Sequence, residues 1–423
     1  MRAGYRGIGG QQVMIERMLD EHVRYGTLVL RHPDGSERRF GQGDPEVVLQ
    51  VHEANALRRI ARDPGFELGQ TYMEGLWSPG PEGLRVFLDM TMRNFAPMFR
   101  KRVGFLTRTL RGLVEQGNRV ARSYRNISHH YDVDEWLFRR FLDEGMFYSC
   151  AYFARPDMSL EEAQKAKCEV LRRKLCLEPG MRVLDIGCGW GGLAMHLAEH
   201  ADVQVDGITL SREQLRVAQE EAKRRGLEDR VRFLYQDYRE HEERYDRIVS
   251  VGMFEHVGQP NYGTFFQGVN DLLNPDGIAV LHTIGRQGPP GTSNPWLKKY
   301  IFPGGYTPAL SEVTGALEPT PLHTTDIEVW RLHYAETLAE WYRRFQAVRD
   351  EAADYFDERF CRMWEFYLAS CEGTFRWWGQ VVFHIQMARR QDAVPLTRDY
   401  LCGLEDPGTS SVPPAEEGIS SPR

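Results

Sequence analysis

From about residue 160 onward, the sequence alternates between short apolar strand patterns and helical patterns. Five segments read as strands, each followed by a helix or loop: "RVLDIGCG", "VQVDGITL", "VRFLYQDY", "DRIVSVGM" and "GIAVLHTI". Strands that alternate with helices pair mostly in parallel and are covered by helices on both faces. The pattern therefore predicts an α/β fold with a mostly parallel, doubly covered sheet.

A chain of 423 residues exceeds one ordinary core, so two domains are expected. Residues 1–98 predict a smaller α+β domain, with a helix over about 11–25, a hairpin around the turn at 33–35, and helices and loops after it. A basic linker is predicted over residues 99–127. The α/β domain is predicted over residues 128–404. Residues 405–423 contain too few apolar groups to pack, so a disordered tail is expected there.

The composition excludes several classes of protein. No apolar stretch approaches the 18 or more residues that span a bilayer, and the N-terminus lacks the apolar core of a signal peptide, so a cytoplasmic location is expected. A net charge of −7 argues against nucleic acid as a partner. The seven cysteines form no CxxC pair, which argues against disulfides and against a metal site.

Residues 100–125 are strongly basic, with eight arginines and lysines and one acid. A basic amphipathic helix can lie on an anionic membrane surface. An ordinary solvated helix between two domains explains the same pattern. The residues alone leave these two interpretations open.

The turn "VLDIGCGWGGLA", residues 183–194, places several glycines between a strand and a helix. Glycine lets the backbone turn tightly and approach a ligand at the helix N-terminus. A glycine-rich turn alone is weak support, because dinucleotide folds use similar turns. The acid Asp185 favours S-adenosylmethionine (SAM), whose sulfonium and amino groups are cationic. The order D-x-G-x-G resembles the first motif of class I methyltransferases, which implies a Rossmann-like sheet.

The next two strands supply further candidates for cofactor binding. Many methyltransferases end the second strand with an acid that binds the ribose, but here Thr209 and Gln214 occupy that region. Asp237, after the third strand, is the candidate partner for the adenine end. Ser211 is predicted to cap the helix that follows the second strand.

One buried strand ends abruptly in Glu255 and His256, within "DRIVSVGMFEHVG". A carboxylate at the end of a buried strand is a candidate functional group. The adjacent His256 is interpreted as a structural histidine at the start of a helix.

Over roughly residues 10–400 the chain resembles the cyclopropane-fatty-acid synthases and mycolic acid cyclopropane synthases. Besides the glycine-rich turn, the resemblance rests on "MFYSCAYF", "GITLSREQ", "VSVGMFEHVG", "VLHTIG", "WLKKYIFPGGYTP" and "CEGTFRWWGQVVF". It implies cofactor contacts at Tyr148, Ser149, Val183, Asp185, Gly187, Cys188, Gly189, Gly191, Thr209, Leu210, Ser211, Gln214, Asp237, Tyr238 and Arg239.

The resemblance also implies a catalytic set that holds a bicarbonate ion. That set comprises Glu255, His282, Ile284, Cys150 through its backbone, and a tyrosine assigned here to Tyr334. Cys371 matches a cysteine nominated as catalytic in the family, although a buried thiol near the pocket is the favoured interpretation because no covalent intermediate is needed.

The implied reaction transfers a methylene group from SAM to the cis double bond of an unsaturated phospholipid acyl chain, forming a cyclopropane ring. Bicarbonate would remove a proton from the added methyl group. Aromatic side chains suit the cationic intermediate because their faces are electron-rich; the candidates are Tyr148, Tyr152, Phe153, Phe254, Tyr306 and Tyr334.

Several alternatives stay open at this point. The same scaffold can yield a methylene or methyl branch instead of a ring. A small-molecule N- or O-methyltransferase and a non-catalytic lipid-binding protein are further hypotheses. Because the acyl double bond lies deep in lipid, the N-terminal unit and the basic segment are expected to place the catalytic domain against the inner membrane surface. Family members are often dimers, so the resemblance makes a homodimer a candidate assembly. Acyl chain length, double-bond position and headgroup are not specified by the sequence.

Overall fold

The computed structural model describes residues 9–101 and 135–401, with side chains from residue 15 to 97 and from 135 onward. The predicted tail at 405–423 lies outside the described residues. So does the basic segment, apart from the backbone of residues 100 and 101. No helix within the described ranges is both long and apolar enough to cross a bilayer.

The N-terminal part forms a four-stranded sheet in the order β2-β1-β3-β4, together with four helices. The predicted hairpin is confirmed, since β1 and β2 pair antiparallel around the turn. Residues 46–79 were expected to contain only helices and loops, and this prediction was wrong at two places. Strand β3 pairs parallel to β1, and strand β4 pairs antiparallel to β3. The elements are α1 Gly9–His22, β1 Gly26–Arg31, β2 Glu37–Gln42, β3 Glu46–Val51, α2 Asn55–Arg62, α3 Pro64–Met73, β4 Trp77–Pro79 and α4 Gly83–Lys101.

The C-terminal part is built on a seven-stranded sheet in the order β10-β11-β9-β8-β5-β6-β7. The five predicted strands form its parallel portion, β7-β6-β5-β8-β9. The strands are β5 Arg182–Ile186, β6 Gln204–Thr209, β7 Val231–Tyr235, β8 Tyr245–Val251, β9 Leu273–Arg286, β10 His323–Trp330 and β11 Gln380–Ala388.

Two strands of this sheet were not predicted. β11 pairs antiparallel with β9, and β10 pairs antiparallel with β11. The helices are α5 Glu135–Phe141, α6 Leu160–Lys174, α7 Gly192–Ala201, α8 Arg212–Arg224, α9 Tyr262–Leu272, α10 Pro295–Tyr300, α11 Leu310–Leu317, α12 His333–Ala347, α13 Arg349–Tyr355 and α14 Glu358–Trp377. The predicted α/β class, with a central sheet flanked by helices, is confirmed.

Helix α14 joins the two parts of the chain. Arg85 on α4 forms a two-pronged ion pair with Glu372 on α14, at 2.6 and 2.7 Å. The indole Nε1 of Trp377 donates to Asp89 at 2.7 Å. Buried apolar side chains of α3, α4, α12 and α14 belong to one continuous hydrophobic cluster. The N-terminal part is therefore packed against the same helix that carries Cys371.

Candidate active site

An open pocket lies where the parallel strands β5, β6, β7 and β8 end. Parallel sheets bind ligands at this edge, outside the carboxyl ends of their strands. Eight of the predicted cofactor residues line the pocket: Gly187, Gly189, Thr209, Leu210, Gln214, Asp237, Tyr238 and Arg239. The structure thus brings residues from three strand ends to one cavity.

Asp185 lies at the end of β5, immediately before the pocket-lining residues Ile186 and Gly187. Its side chain is 1% exposed, and its Oδ2 has no hydrogen-bond partner. Burial raises the pKa of Asp185 to about 7, and the nearby Lys167 ammonium opposes that rise. A buried carboxylate with an unsatisfied oxygen is a group that awaits a cationic or N–H partner.

The segments after β6 and β7 hold their side chains in local hydrogen bonds. Ser211 caps α8 by accepting from the Gln214 backbone N–H at 3.2 Å, which confirms the predicted cap. Thr209 Oγ1 donates to Gln214 Oε1 at 3.1 Å. Asp237 is paired with Arg239 through contacts of 2.6 and 2.8 Å. These bonds fix the pocket wall on the β6 and β7 side.

His256 also lines the pocket, although the sequence suggested a structural role. It lies in the three-residue helical turn Phe254–His256 that follows β8. Burial lowers the pKa of His256 to about 4, so the imidazole is neutral at physiological pH. Sequence reasoning also missed Gln236 and the residues Val251–Met253, which line the same wall.

The remaining predicted cofactor residues do not line this pocket: Tyr148, Ser149, Val183, Asp185, Cys188, Gly191 and Ser211. Val183 lies in the buried interior of β5, where its side chain packs in the core. A Cβ at Gly191 would lie 2.6 Å from the Phe233 ring, so close packing explains this glycine.

The segment 148–153 is held between α6 and α12. On α12, Thr337 Oγ1 accepts from the Ala151 N–H at 3.0 Å, and His333 Nδ1 accepts from the Phe153 N–H at 3.1 Å. On α6, the Gln164 amide donates to the Ser149 carbonyl at 3.0 Å. The segment is thus fixed from both sides.

Glu255 is flanked in sequence by pocket-lining residues on both sides, and its side chain reaches β9. Its Oε1 accepts from the Ile284 N–H at 2.6 Å, whereas its Oε2 is buried without a partner. Burial raises the pKa of Glu255 to about 7. The Ile284 N–H is used in this bond. Ile284 therefore contributes to the predicted site by orienting the Glu255 side chain.

Tyr334, at the start of α12, is buried within the electrostatic influence of Glu255. Burial, together with the neighbouring Cys150, Tyr148, Glu255 and Cys371, raises the pKa of Tyr334 well above its ordinary value. Tyr334, Cys150 and Cys371 belong to one hydrophobic cluster, and Ile284, whose N–H binds Glu255, packs against it. No hydrogen-bond partner for the Tyr334 hydroxyl is found within residues 15–97 and 135–401.

The two predicted catalytic cysteines are buried and neutral. Burial raises the pKa of Cys371 to about 12 and places that of Cys150 higher still. The thiolate, not the thiol, is the nucleophile. This environment favours the interpretation of Cys371 as a packed thiol.

His282, on β9, contacts a second histidine that sequence reasoning missed. Its Nδ1 lies 2.7 Å from Nε2 of His384, because β11 pairs with β9 in a register that places the two residues opposite each other. Nδ1 of His384 is buried without a partner. A buried N–H without an acceptor is costly, so that atom is best left unprotonated. His384 Nε2 then donates to His282, and His282 carries its proton on Nε2.

Aromatic rings surround Tyr334 and Tyr148. Tyr334 stacks on Phe375 with ring centroids 4.7 Å apart, and Tyr148 stacks on Trp341 at 5.2 Å. Phe254 and Tyr306 belong instead to a separate hydrophobic cluster, in which Phe254 packs on Tyr262. Tyr148 and Tyr334, which were predicted, therefore share an aromatic group with Phe375 and Trp341, which were not, and Phe254 and Tyr306 belong to a different cluster.

Comparison with known proteins identifies the family. A family-wide profile described as "Mycolic acid cyclopropane synthetase" matches residues 118–385, which is more than half of the chain. The chain belongs to the mycolic acid cyclopropane synthetase family. It is 41% identical over 342 residues to the cyclopropane-fatty-acyl-phospholipid synthase of Escherichia coli K12, covering 79% of this chain and 86% of the relative.

Two other members of this family extend the comparison. The chain is 36% identical over 379 residues to the tuberculostearic acid methyltransferase UfaA1 of Mycobacterium tuberculosis, covering 85% of this chain and 87% of the relative. The crystal structure of mycolic acid cyclopropane synthase CmaA1, complexed with SAH and CTAB, superimposes with a TM-score of 0.59 at 35% identity. That match covers 63% of this chain and 98% of CmaA1.

Membership of the cyclopropane synthetase family confirms two predictions made from the sequence. The sheet is that of a class I methyltransferase, as the D-x-G-x-G turn indicated. The chain is a SAM-dependent methyltransferase of the cyclopropane synthase type.

Proposed function

We propose that this enzyme transfers a methylene group from SAM to the cis double bond of unsaturated phospholipid acyl chains, forming a cyclopropane ring, with a bicarbonate ion as base. The observation that carries the proposal is the Glu255 carboxylate. One of its oxygens is fixed by the Ile284 N–H and the other is buried without a partner. Such an oxygen is suited to accept a hydrogen bond from a small ligand.

The pocket at the strand ends fits SAM. The unsatisfied Oδ2 of Asp185 suits a cationic ligand, and a Cβ built on Gly189 meets no described atom within 4 Å, which leaves room for a ligand against the backbone. Gln214, Asp237 and Arg239 offer polar groups from the opposite wall. When bound, SAM supplies an electrophilic methyl group and bicarbonate supplies a proton acceptor.

The site also fits bicarbonate, in spite of the Glu255 carboxylate. Two adjacent anions would repel, but the hydroxyl of bicarbonate can donate to Glu255. The Tyr334 hydroxyl and the Nε2–H of His282 are donors suited to its other oxygens. Cys150 lies in the segment 148–153, which is held between α6 and α12. Its backbone is included in this set by family resemblance.

The chain's own residues explain why this chemistry can proceed here. An alkene has no proton to lose before it attacks a methyl group, so a base is needed only afterwards, when the ring closes. The rings of Tyr334, Phe375, Tyr148 and Trp341 can stabilise a cationic carbon without capturing it. Their close packing also excludes water, which would otherwise convert the cation to an alcohol.

One alternative product is supported by a specific relative. The tuberculostearic acid methyltransferase is a member of the same family at 36% identity. On the same scaffold, loss of a proton after a hydride shift would give a methylene branch instead of a ring. The two outcomes differ in which proton the base held at Glu255 removes.

We also propose that residues 1–98 and the basic linker at 99–127 bring the catalytic part, residues 128–404, to the inner membrane surface. The substrate double bond lies within lipid, and the eight basic residues at 100–125 would be attracted to anionic headgroups. The close packing of α4 on α14 supports a mechanical connection between these parts. A homodimer is the proposed assembly, on the basis of family resemblance alone.

The role of bicarbonate can be tested with purified enzyme, SAM and vesicles of unsaturated phospholipid. In buffer depleted of carbon dioxide, the rate is expected to fall at least about tenfold, because Glu255 then holds no proton acceptor. Added bicarbonate should restore the rate, whereas chloride at equal ionic strength should not. Equal rates in both buffers would contradict the bicarbonate assignment. They would not contradict methyl transfer from SAM.

A further inference from the structure

Helix α6 carries a buried lysine outside the residues proposed to hold bicarbonate. Lys167 is fully buried, with 0% exposure. Its Nζ donates to Ser149 Oγ at 2.9 Å and lies 3.8 Å from the centre of the Phe147 ring. Within the described residues it forms no ion pair, so a buried ammonium has one neutral hydrogen-bond partner and an aromatic face. Buried charges are normally paired, because desolvating an unpaired charge is very costly.

Two buried carboxylates act on this lysine without forming an ion pair with it, Asp143 and Asp185. Both oxygens of Asp143 are satisfied by the Gly145 and Phe147 N–H groups, so Asp185 is the one of the two that lacks a partner. Lys167 is near enough to oppose the rise in the pKa of Asp185, but no ion pair joins them. The carboxylate keeps one buried oxygen without a partner. Two buried, opposite and separated charges are suited to a ligand that carries both signs.

The contacts of α6 direct the lysine toward Ser149. Gln164 and Lys167 are one helical turn apart, and both donate to this residue, one to its carbonyl and the other to its hydroxyl. Ser149 is itself buried, at 9% exposure, and it follows Phe147, whose ring lies against Gly192 at the start of α7, directly after the glycine-rich turn. A hydroxyl that accepts from an ammonium has its own hydrogen free to donate to an anion.

We infer that Lys167 is a positioning residue for the methionine carboxylate of SAM, acting through the Ser149 hydroxyl. Asp185 faces the amino group of the same zwitterion, and Lys167 supplies the opposite charge behind Ser149. This inference rests on the proposed SAM site and extends it beyond the strand-end pocket, whose lining does not include Ser149, to the 147–149 segment packed beside the glycine-rich turn. It assigns a role to a residue outside every motif identified in the sequence.

A second buried lysine on the same helix provides the comparison. Lys174 is also 0% exposed, but its Nζ is paired with Asp326 at 2.9 Å and Glu328 at 2.8 Å on β10. Its charge is thus neutralised within the protein. Lys174 is the matched case of a buried lysine with a purely structural role.

The test compares binding of SAM with binding of decarboxylated SAM, which lacks only the carboxylate, by calorimetry without lipid. Lys167→Met should weaken SAM about tenfold or more and leave decarboxylated SAM within about twofold. Lys174→Met should lower the thermal unfolding midpoint without changing the ratio of the two affinities. Loss of both ligands to the same extent in Lys167→Met, or loss of neither, would overturn the inference.

Ser149→Ala keeps the lysine and removes the hydroxyl through which it acts. Ser149→Ala should also weaken SAM binding selectively. If Lys167→Met does not fold, Ser149→Ala provides the test. An unchanged ratio of the two affinities in Ser149→Ala would overturn the inference. Wild-type enzyme that binds SAM and decarboxylated SAM equally would also overturn it. Wild-type enzyme that binds neither would overturn the proposed SAM site as well.

Discussion

Replacing Glu255 by glutamine should lower turnover on unsaturated phospholipid vesicles at least about a hundredfold and leave the affinity for S-adenosylhomocysteine within about twofold. Glutamine has the same shape, and its carbonyl oxygen can still accept from the Ile284 N–H. Only the buried Oε2 changes, from an acceptor to an N–H donor. A bicarbonate hydroxyl can no longer donate to this position, so the proton acceptor is lost while the cofactor pocket is kept.

Glu312→Gln is the matched control for this variant. The Glu312 carboxylate also accepts hydrogen bonds, from the Tyr306 hydroxyl and the Ala309 N–H, but both of its oxygens have donors within the protein. Its turnover should stay close to that of the wild type. A Glu255→Gln enzyme as active as Glu312→Gln would remove Glu255 from the mechanism.

Replacing Gly189 by alanine should weaken S-adenosylhomocysteine at least about tenfold. Gly189 lines the pocket and has a φ of +55°. A Cβ there meets no described protein atom within 4 Å, so it would project into the space assigned to the cofactor. The left-handed backbone conformation adds a cost of about 1 kcal/mol to the free energy of folding.

Gly180→Ala separates these two effects. Gly180 also has a positive φ, +81°, and open space around its Cβ position, but it lies before β5 and outside the pocket. The free energy of unfolding in denaturant should fall by a similar amount in both variants. In calorimetry, only Gly189→Ala should bind S-adenosylhomocysteine more weakly. Equal affinities in the two variants would argue that the cofactor does not occupy the space beside Gly189.

Local sequence patterns predicted the parallel part of the sheet and missed its antiparallel edge. Strands β5 to β9 are short apolar runs bounded by glycines and helical patterns, and Ser211 marks a helix start by its side-chain chemistry. In contrast, β10 reads "HTTDIEVW", whose polar residues resemble a loop. Its pairing with β11 joins segments more than fifty residues apart, and no local signal specifies such a contact.

The candidate site shows the same division. Asp185, Thr209 and Asp237 could be located because they lie at or just after strand ends, which converge in a parallel sheet, and Gln214 because it lies in the first turn of the helix that follows β6. His384 could not be located from the sequence, because only the register of β11 on β9 places it against His282. Lys167 could not either, because lysine in an amphipathic helix is ordinarily exposed, and its burial depends on the packing of the 147–149 segment over α6.

Removal of a proton from the added methyl group can be tested by following a trideuterated methyl group from SAM into vesicles of unsaturated phospholipid and analysing the released fatty acids by mass spectrometry and NMR. A base held at Glu255 that removes a proton from the added methyl group predicts a saturated cyclopropane chain with two deuterium atoms on the ring methylene. A label found in an exocyclic alkene would favour the branched-chain alternative, and acyl chains without any label would contradict the account.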